Sequence, residues 1–155
     1  MAGSLPSGKI QTRIDLSASR IAIVVAEWNE EITEALYTGA VASLTQHGVQ
    51  KQNIIRKNVP GTFELSLGAQ WMAERDEIDV VICLGCVIQG ETPHFDYICQ
   101  AVAYGLTEVG LKTGKPVIFG VLTTLNKQQA FDRAGGKYGN KGEEAALTAI
   151  KMLGF

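Results

Sequence analysis

Cysteine is scarce in this chain: there are three, an odd number, which excludes the paired disulfide framework of small secreted domains and fits reduced thiols. Histidine is scarcer still, with two, and His47 lies far in sequence from any cysteine, so no zinc spacing is present and no metal site is expected. Cys83 and Cys86 form a C-x-x-C, but three residues apart on a strand their side chains point to opposite faces. Charge of one sign is also missing. Fourteen Lys+Arg against 16 Asp+Glu leave a net charge of −2, so no global positive field draws in nucleic acid. The longest charge-free apolar stretch of interest, Val80 to Gln89, spans ten residues, far short of a membrane crossing. The opening residues, MAGSLPSGKIQTRIDLSAS, carry Pro, Gly, Ser and charge where a secretory signal needs an apolar run. Cytoplasmic location is the expectation. No G-x-G-x-x-G, no P-loop and no G-x-S-x-G is present, so dinucleotide binding, nucleoside-triphosphate binding and serine-hydrolase chemistry have no anchor.

What is present is a well-patterned 155-residue chain, 46% hydrophobic and 19% charged, which fits one compact domain. Residues 1–19 lack sustained periodicity and read as an arm that orders only by pairing with something else; residues 20–155 read as a single α/β domain. Ile21 to Ala26 and Val80 to Ile88 are continuous β-branched or apolar runs without alternation, the pattern of strands covered on both faces. Asn53 to Val59 and Val117 to Thr123 complete four expected strands. Between them lie helices capped by Asn29 and stopped at Gly48, then from about Phe63 to Arg75, from His94 to Thr113, and near Lys127 to Arg133. A Gly-rich loop from Ala134 to Gly142 precedes a closing helix that ends near Leu153. Such alternation predicts right-handed crossovers and a three-layer α/β/α sandwich: a four-stranded parallel sheet with helices on both faces.

In open sheets of this kind ligands bind beyond the carboxyl ends of the strands. The loops expected there hold Trp28 and Asn29, then Thr62, Phe63 and Glu64, then Gln89 to His94, then Thr123 to Asn126. Trp28 and Phe63 suit either a stacking platform or a cover for a helix. His94 suits a proton relay or a helix-terminal hydrogen-bond acceptor, and Glu64 a ligand contact or a macrodipole partner. Arg133 with the lysines of the Gly-rich segment suits a phosphate, although a tight turn explains those glycines as well.

Four segments taken together carry a resemblance. They are Pro60-Gly61-Thr62-Phe63-Glu64, Gly85 through Tyr97 (GCVIQGETPHFDY), Phe119 through Thr124 (FGVLTT), and Arg133 through Gly142 (RAGGKYGNKG). In order and spacing they resemble the lumazine synthase family, with the likeness running from about Arg20 to Met152. The resemblance implies a flavodoxin-like sheet and a transferase of riboflavin biosynthesis. That enzyme condenses 5-amino-6-(D-ribitylamino)uracil with 3,4-dihydroxy-2-butanone 4-phosphate to 6,7-dimethyl-8-ribityllumazine, releasing phosphate and water, with no cofactor or metal. It also implies roles. Trp28 matches the aromatic that stacks on the pyrimidine; Asn29, Thr62, Phe63 and Glu64 match the loops that hold the pyrimidine and ribityl chain; Val87 and Ile88 match backbone contacts to the ring. Gly90, Glu91 and Thr92 match the phosphate-receiving loop, and His94 matches the proton-transfer residue.

Phe119, Arg133 and Lys141 match positions that the neighbouring subunit supplies, Arg133 being the phosphate clamp. A homo-oligomer is therefore implied, a pentamer that in many members closes into an icosahedral capsid of about 60 subunits. The N-terminal arm then adds a strand to a neighbour's sheet, and riboflavin synthase is a candidate partner. Two positions depart from the family pattern: Gln89 stands where Arg or Lys is usual, and Glu91 where a small or neutral residue is common. They keep open a rival reading, a non-catalytic flavin- or lumazine-binding shell protein on the same fold.

Overall fold

The computed structural model describes residues 15–155. The arm's strand pairing with a neighbour falls largely on residues 1–14, outside the described residues. Within the described part, Leu16–Ala18 forms a short 3-10 turn closed by the Asp15 side chain, and Leu16 is buried in this chain's own core.

Four strands form one parallel sheet: β1 (Ile21–Ala26), β2 (Ile54–Val59), β3 (Val80–Ile88) and β4 (Val117–Thr124), in the order β2-β1-β3-β4. This is the doubly wound order of the flavodoxin-like class, and the strand order reverses between β1 and β3. Every residue of β1 is buried, as is β3 up to Cys86, which is why neither strand alternates in sequence. Ile21, Ile23, Val25, Ile82, Leu84 and Cys86 face one apolar layer; Ala22, Val24, Val81 and Cys83 face the other. The expected opposition of the two cysteines holds. Full burial of each of Ile21, Ile23, Ile82 and Leu84 contributes roughly 1.5–3 kcal/mol, so the central pair of strands anchors both layers.

The helices are α1 (Glu30–Gln46), α2 (Leu65–Ala73), α3 (His94–Thr113), α4 (Lys127–Phe131) and α5 (Lys141–Leu153). Helices α1 and α5 bury Ile32, Leu36, Ala146 and Ile150 in the first layer, while α2 and α3 bury Leu65, Ala69, Val102 and Leu106 in the second. The three-layer sandwich is therefore as expected. Gly48 and Gly114, at φ 98° and 67°, end α1 and α3 in the left-handed region that glycine enters without a Cβ penalty.

Two expectations are corrected. The segment 134–142 is not a plain loop: β5 (Ala134–Gly136) and β6 (Gly139–Asn140) pair antiparallel as a hairpin, and α5 already begins at Lys141. The helix expected from Phe63 is preceded by a 3-10 turn, Thr62–Glu64, and α2 proper starts at Leu65. No helix among the described residues is long and apolar enough to cross a membrane.

Candidate active site

The ladder between β1 and β3 stops at Val25↔Leu84, while β3 continues beside β4 as far as Ile88↔Thr124. The Cys86 carbonyl thus lies past the end of the β1 ladder and needs donors from elsewhere. Two side chains supply them. Asn29 Nδ2 donates to this oxygen at 2.9 Å, and the buried Thr62 hydroxyl donates to it at 3.4 Å. Loops leaving β1 and β2 are in this way tied to one carbonyl at the reversal point of the sheet. Main-chain bonds reinforce the tie: Glu27 N–H donates to Val59 O at 2.9 Å and Trp28 N–H to Pro60 O at 3.2 Å. Gly85 is required here, because a Cβ on it would stand 2.9 Å from both the Thr62 hydroxyl and Leu65 Cδ1.

Asn29 corrects a sequence expectation. It occupies the N-cap position of α1, but in the left-handed region at φ 61°, and its side chain makes no capping bond. Its amide is spent on β3 instead.

The frame holds two aromatic rings open to solvent: Trp28 is 74% exposed and Phe63 55%. Among the described residues neither ring is buried beneath a helix. Trp28 Cδ1 and a Glu64 carboxylate oxygen lie 3.8 and 3.1 Å from the point where a Cβ on Gly61 would stand, so an aromatic edge and a carboxylate flank that glycine. Val87 and Ile88 end β3 half-buried, with Gln89 N–H donating to Thr124 O at 2.8 Å. Gly90, Glu91 and Thr92 follow exposed and lead through Pro93 to His94, the first residue of α3. Helix α3 packs beside the Thr62–Glu64 turn, and its positive end favours an anion at the 90–94 segment.

The His94 ring makes no hydrogen bond among the described residues, so it is not a helix-terminal acceptor. Glu91 makes no ion pair among them either. Burial pushes the Cys86 thiol up to about 11 and raises the Cys83 thiol as well, so neither offers a thiolate nucleophile near neutrality.

The remaining expected site residues stand on other elements. Phe119 lies early in the edge strand β4, paired with Cys83, with its ring exposed. Arg133 follows α4; its Nη1 donates to Gln129 O at 3.0 Å and its guanidinium carbon lies 4.8 Å from the Tyr138 ring centre. Lys141 opens α5 and its Nζ reaches both carboxylate oxygens of Glu144 at 2.7 and 2.8 Å. The structure therefore gathers Trp28, Asn29, Thr62, Phe63, Glu64, Val87 and Ile88 into one loop cluster that the 90–94 segment continues. Phe119, Arg133 and Lys141 form no part of it. The Cys86 carbonyl, which organises the cluster, was missed in the sequence because a backbone acceptor has no residue-type signature.

A family model described as 6,7-dimethyl-8-ribityllumazine synthase matches residues 18–155. The chain belongs to this lumazine synthase family. A 6,7-dimethyl-8-ribityllumazine synthase from Cytophaga hutchinsonii is 73% identical over 139 residues, covering 90% of this chain and 87% of the relative. Relatives of the same description from Parabacteroides distasonis (58% identical, 91% and 88% covered) and Porphyromonas gingivalis (56% identical, 98% and 89% covered) extend the likeness over nearly the whole length. As a lumazine synthase family member the chain is a transferase, and the sandwich carrying the loop cluster is the family's α/β fold. The geometry suits that chemistry: flat rings free to stack on a heterocycle, a carboxylate beside them for hydroxyl groups, and exposed N–H groups at a helix start for an anion.

Proposed function

We propose that the loop cluster at the β1/β3 reversal is one half of an active site for the family's reaction. There, 5-amino-6-(D-ribitylamino)uracil condenses with 3,4-dihydroxy-2-butanone 4-phosphate, giving 6,7-dimethyl-8-ribityllumazine, phosphate and water in the penultimate step of riboflavin biosynthesis. The observation that carries the assignment is the convergence of Asn29 and Thr62 on the Cys86 carbonyl, which holds the loops bearing Trp28 and Phe63-Glu64 side by side at the strand ends. The pyrimidine stacks on Trp28 and Phe63, and its edge bonds to the main chain at Val87 and Ile88. Glu64 accepts hydrogen bonds from the ribityl hydroxyls. The 4-phosphate sits on the N–H groups and hydroxyl of Gly90, Glu91 and Thr92, with the exposed Glu91 carboxylate turned to water.

Schiff-base formation, phosphate elimination and ring closure each move protons between nitrogen, carbon and oxygen. His94, with a ring free of protein partners, relays them and accounts for about 10²–10⁴ in rate. Holding two substrates in register lowers the barrier further, by as much as roughly 7–11 kcal/mol in well-aligned cases.

The other half comes from a second copy. Phe119 on an open sheet edge and Arg133 and Lys141 beside the β5–β6 hairpin complete the site from the neighbouring subunit, Arg133 clamping the phosphate with the donors that its single bond to Gln129 leaves free. An apolar surface supports assembly. Leu67, Trp71, Tyr104 and Leu111 are exposed on α2 and α3, whose groove of about 700 Å³ is lined in part by Leu67 and Leu111. We read the assembly as a pentamer that closes into a capsid, with the N-terminal arm pairing to a neighbour, riboflavin synthase as a partner, and the cytoplasm as the compartment that keeps Cys83, Cys86 and Cys99 free. The family match favours the synthase over a non-catalytic binder.

The test is formation of the fluorescent lumazine from both substrates. Arg133→Ala is expected to raise KM for the butanone phosphate and leave KM for the pyrimidine unchanged. An unchanged KM for the phosphate substrate overturns the clamp; no acceleration by the intact protein returns the binder.

A further inference from the structure

Arg133 and Lys141 are bonded to each other through the main chain, Lys141 N–H donating to Arg133 O at 2.9 Å, and between them the β5–β6 hairpin pairs Ala134 with Asn140. Asn140 makes bonds that leave the hairpin. Its Nδ2 donates to Ala35 O in the middle of α1 at 2.9 Å, a contact across 105 positions of sequence, and its Oδ1 accepts the Gly142 N–H at 2.8 Å to cap α5. The amide fits because α1 has a notch. At Gly39 a Cβ would stand 2.5–2.7 Å from Asn140 Nδ2, Cγ and Oδ1, so any side chain there would collide with the amide. Gly142 is held as closely, its missing Cβ falling on the Leu36 main chain of α1. One amide therefore joins the hairpin, the start of α5 and the middle of α1.

We propose that Asn140, seated in the Gly39 notch, is a positioning residue: it sets where the hairpin presents Arg133 and Lys141 to the neighbouring subunit's phosphate site. This rests on the reading of Arg133 as phosphate clamp. Tyr138 and Gln129 fix the Arg133 guanidinium relative to the hairpin and α4, whereas Asn140 ties the hairpin to the body of the domain. An aligned clamp tolerates little displacement, since shifts near 1 Å cost heavily in a positioned reaction.

The experiment compares steady-state kinetics of the assembled protein carrying Asn140→Asp, Asn140→Ala or Gly39→Ala, each also combined with Arg133→Ala. Asn140→Asp keeps the oxygen that caps α5 and loses the donor to Ala35. Gly39→Ala expels the intact amide while improving the helix propensity of α1, so the proposal stands testable even if Asn140→Ala fails to fold. Expected is a rise of roughly ten-fold in KM for the butanone phosphate, KM for the pyrimidine unchanged, and no further rise once Arg133 is already Ala. Equal changes in both KM values, or none, with Arg133→Ala still raising the phosphate KM, overturn the positioning role alone. If Arg133→Ala itself leaves the phosphate KM unchanged, the clamp falls and the proposal with it.

Discussion

Asn29 meets two demands with one side chain. The turn from β1 into α1 needs a left-handed residue, at φ 61°, and the Cys86 carbonyl needs a donor. Asparagine tolerates that region better than most residues and carries the amide. Replacing it with alanine loses both advantages, whereas glycine restores only the backbone freedom. Asn29→Ala should therefore destabilise the fold by about 1–3 kcal/mol, and Asn29→Gly by no more than the hydrogen bond, about 1 kcal/mol. Denaturant midpoints of the two variants check this, and equal losses would show that the backbone there is unstrained. Asn29 also shows where reading a sequence stops. Asparagine before a helix suggests a cap, and nothing local reveals that its amide is engaged 57 positions away. His94 shows the opposite: its place at the start of a helix after a central strand was legible, and the unpartnered ring is what the structure adds.

Among the strands, those that bury most apolar surface were the most legible. β1 and β3 are covered on both faces, so solvent imposes no alternation, and their unbroken runs identify them. The β5–β6 hairpin is short and built largely on glycine, held by the buried Ala134 and by Asn140 reaching α1, so its sequence carries no period. Where β2 meets α1 stands a charge pair. Arg56 donates through two nitrogens to the two Glu34 oxygens, one bond at 3.0 Å, and its guanidinium lies 4.4 Å from the Tyr37 ring centre. The hydrogen bonds from Arg56 hold the Glu34 carboxyl below its ordinary value, against a smaller opposing effect of burial. A carboxyl lowered in the folded state contributes stability above its unfolded pKa and loses it as pH falls through the folded one. The pair is partly exposed, so Glu34→Gln should cost only about 0.2–1 kcal/mol at neutral pH. That difference from the parent should hold down to the ordinary carboxylate range and close below it, as urea midpoints measured across acid pH would reveal. A difference that persists undiminished in acid would assign the effect to packing on Tyr37.

At the scale of the molecule, one chain holds the residues of the proposed site on separate parts: the loop cluster and His94 at the strand ends, Phe119 on the sheet edge, Arg133 and Lys141 beside the hairpin. Periodicity placed Trp28, Phe119 and His94 correctly, whereas Arg133 was expected inside the helix that ends at Phe131 and Lys141 in a loop where α5 already begins; only the resemblance said that two copies meet, because an interface between identical chains leaves no periodic signature. A site divided in this way makes a quantitative demand. His94→Ala and Arg133→Ala each damage every site of a uniform assembly. If the two variants are unfolded together in equal amounts and assembled at random, a site is intact where an Arg133→Ala subunit supplies His94 and an His94→Ala neighbour supplies Arg133, which is about one quarter of all sites in a closed ring. Activity of the mixed assembly should therefore recover to about that fraction of the parent, well above either variant alone, while simple mixing of preassembled variants should recover none. Recovery absent from co-assembled material would place both residues in one subunit's site and overturn the division of the site between copies.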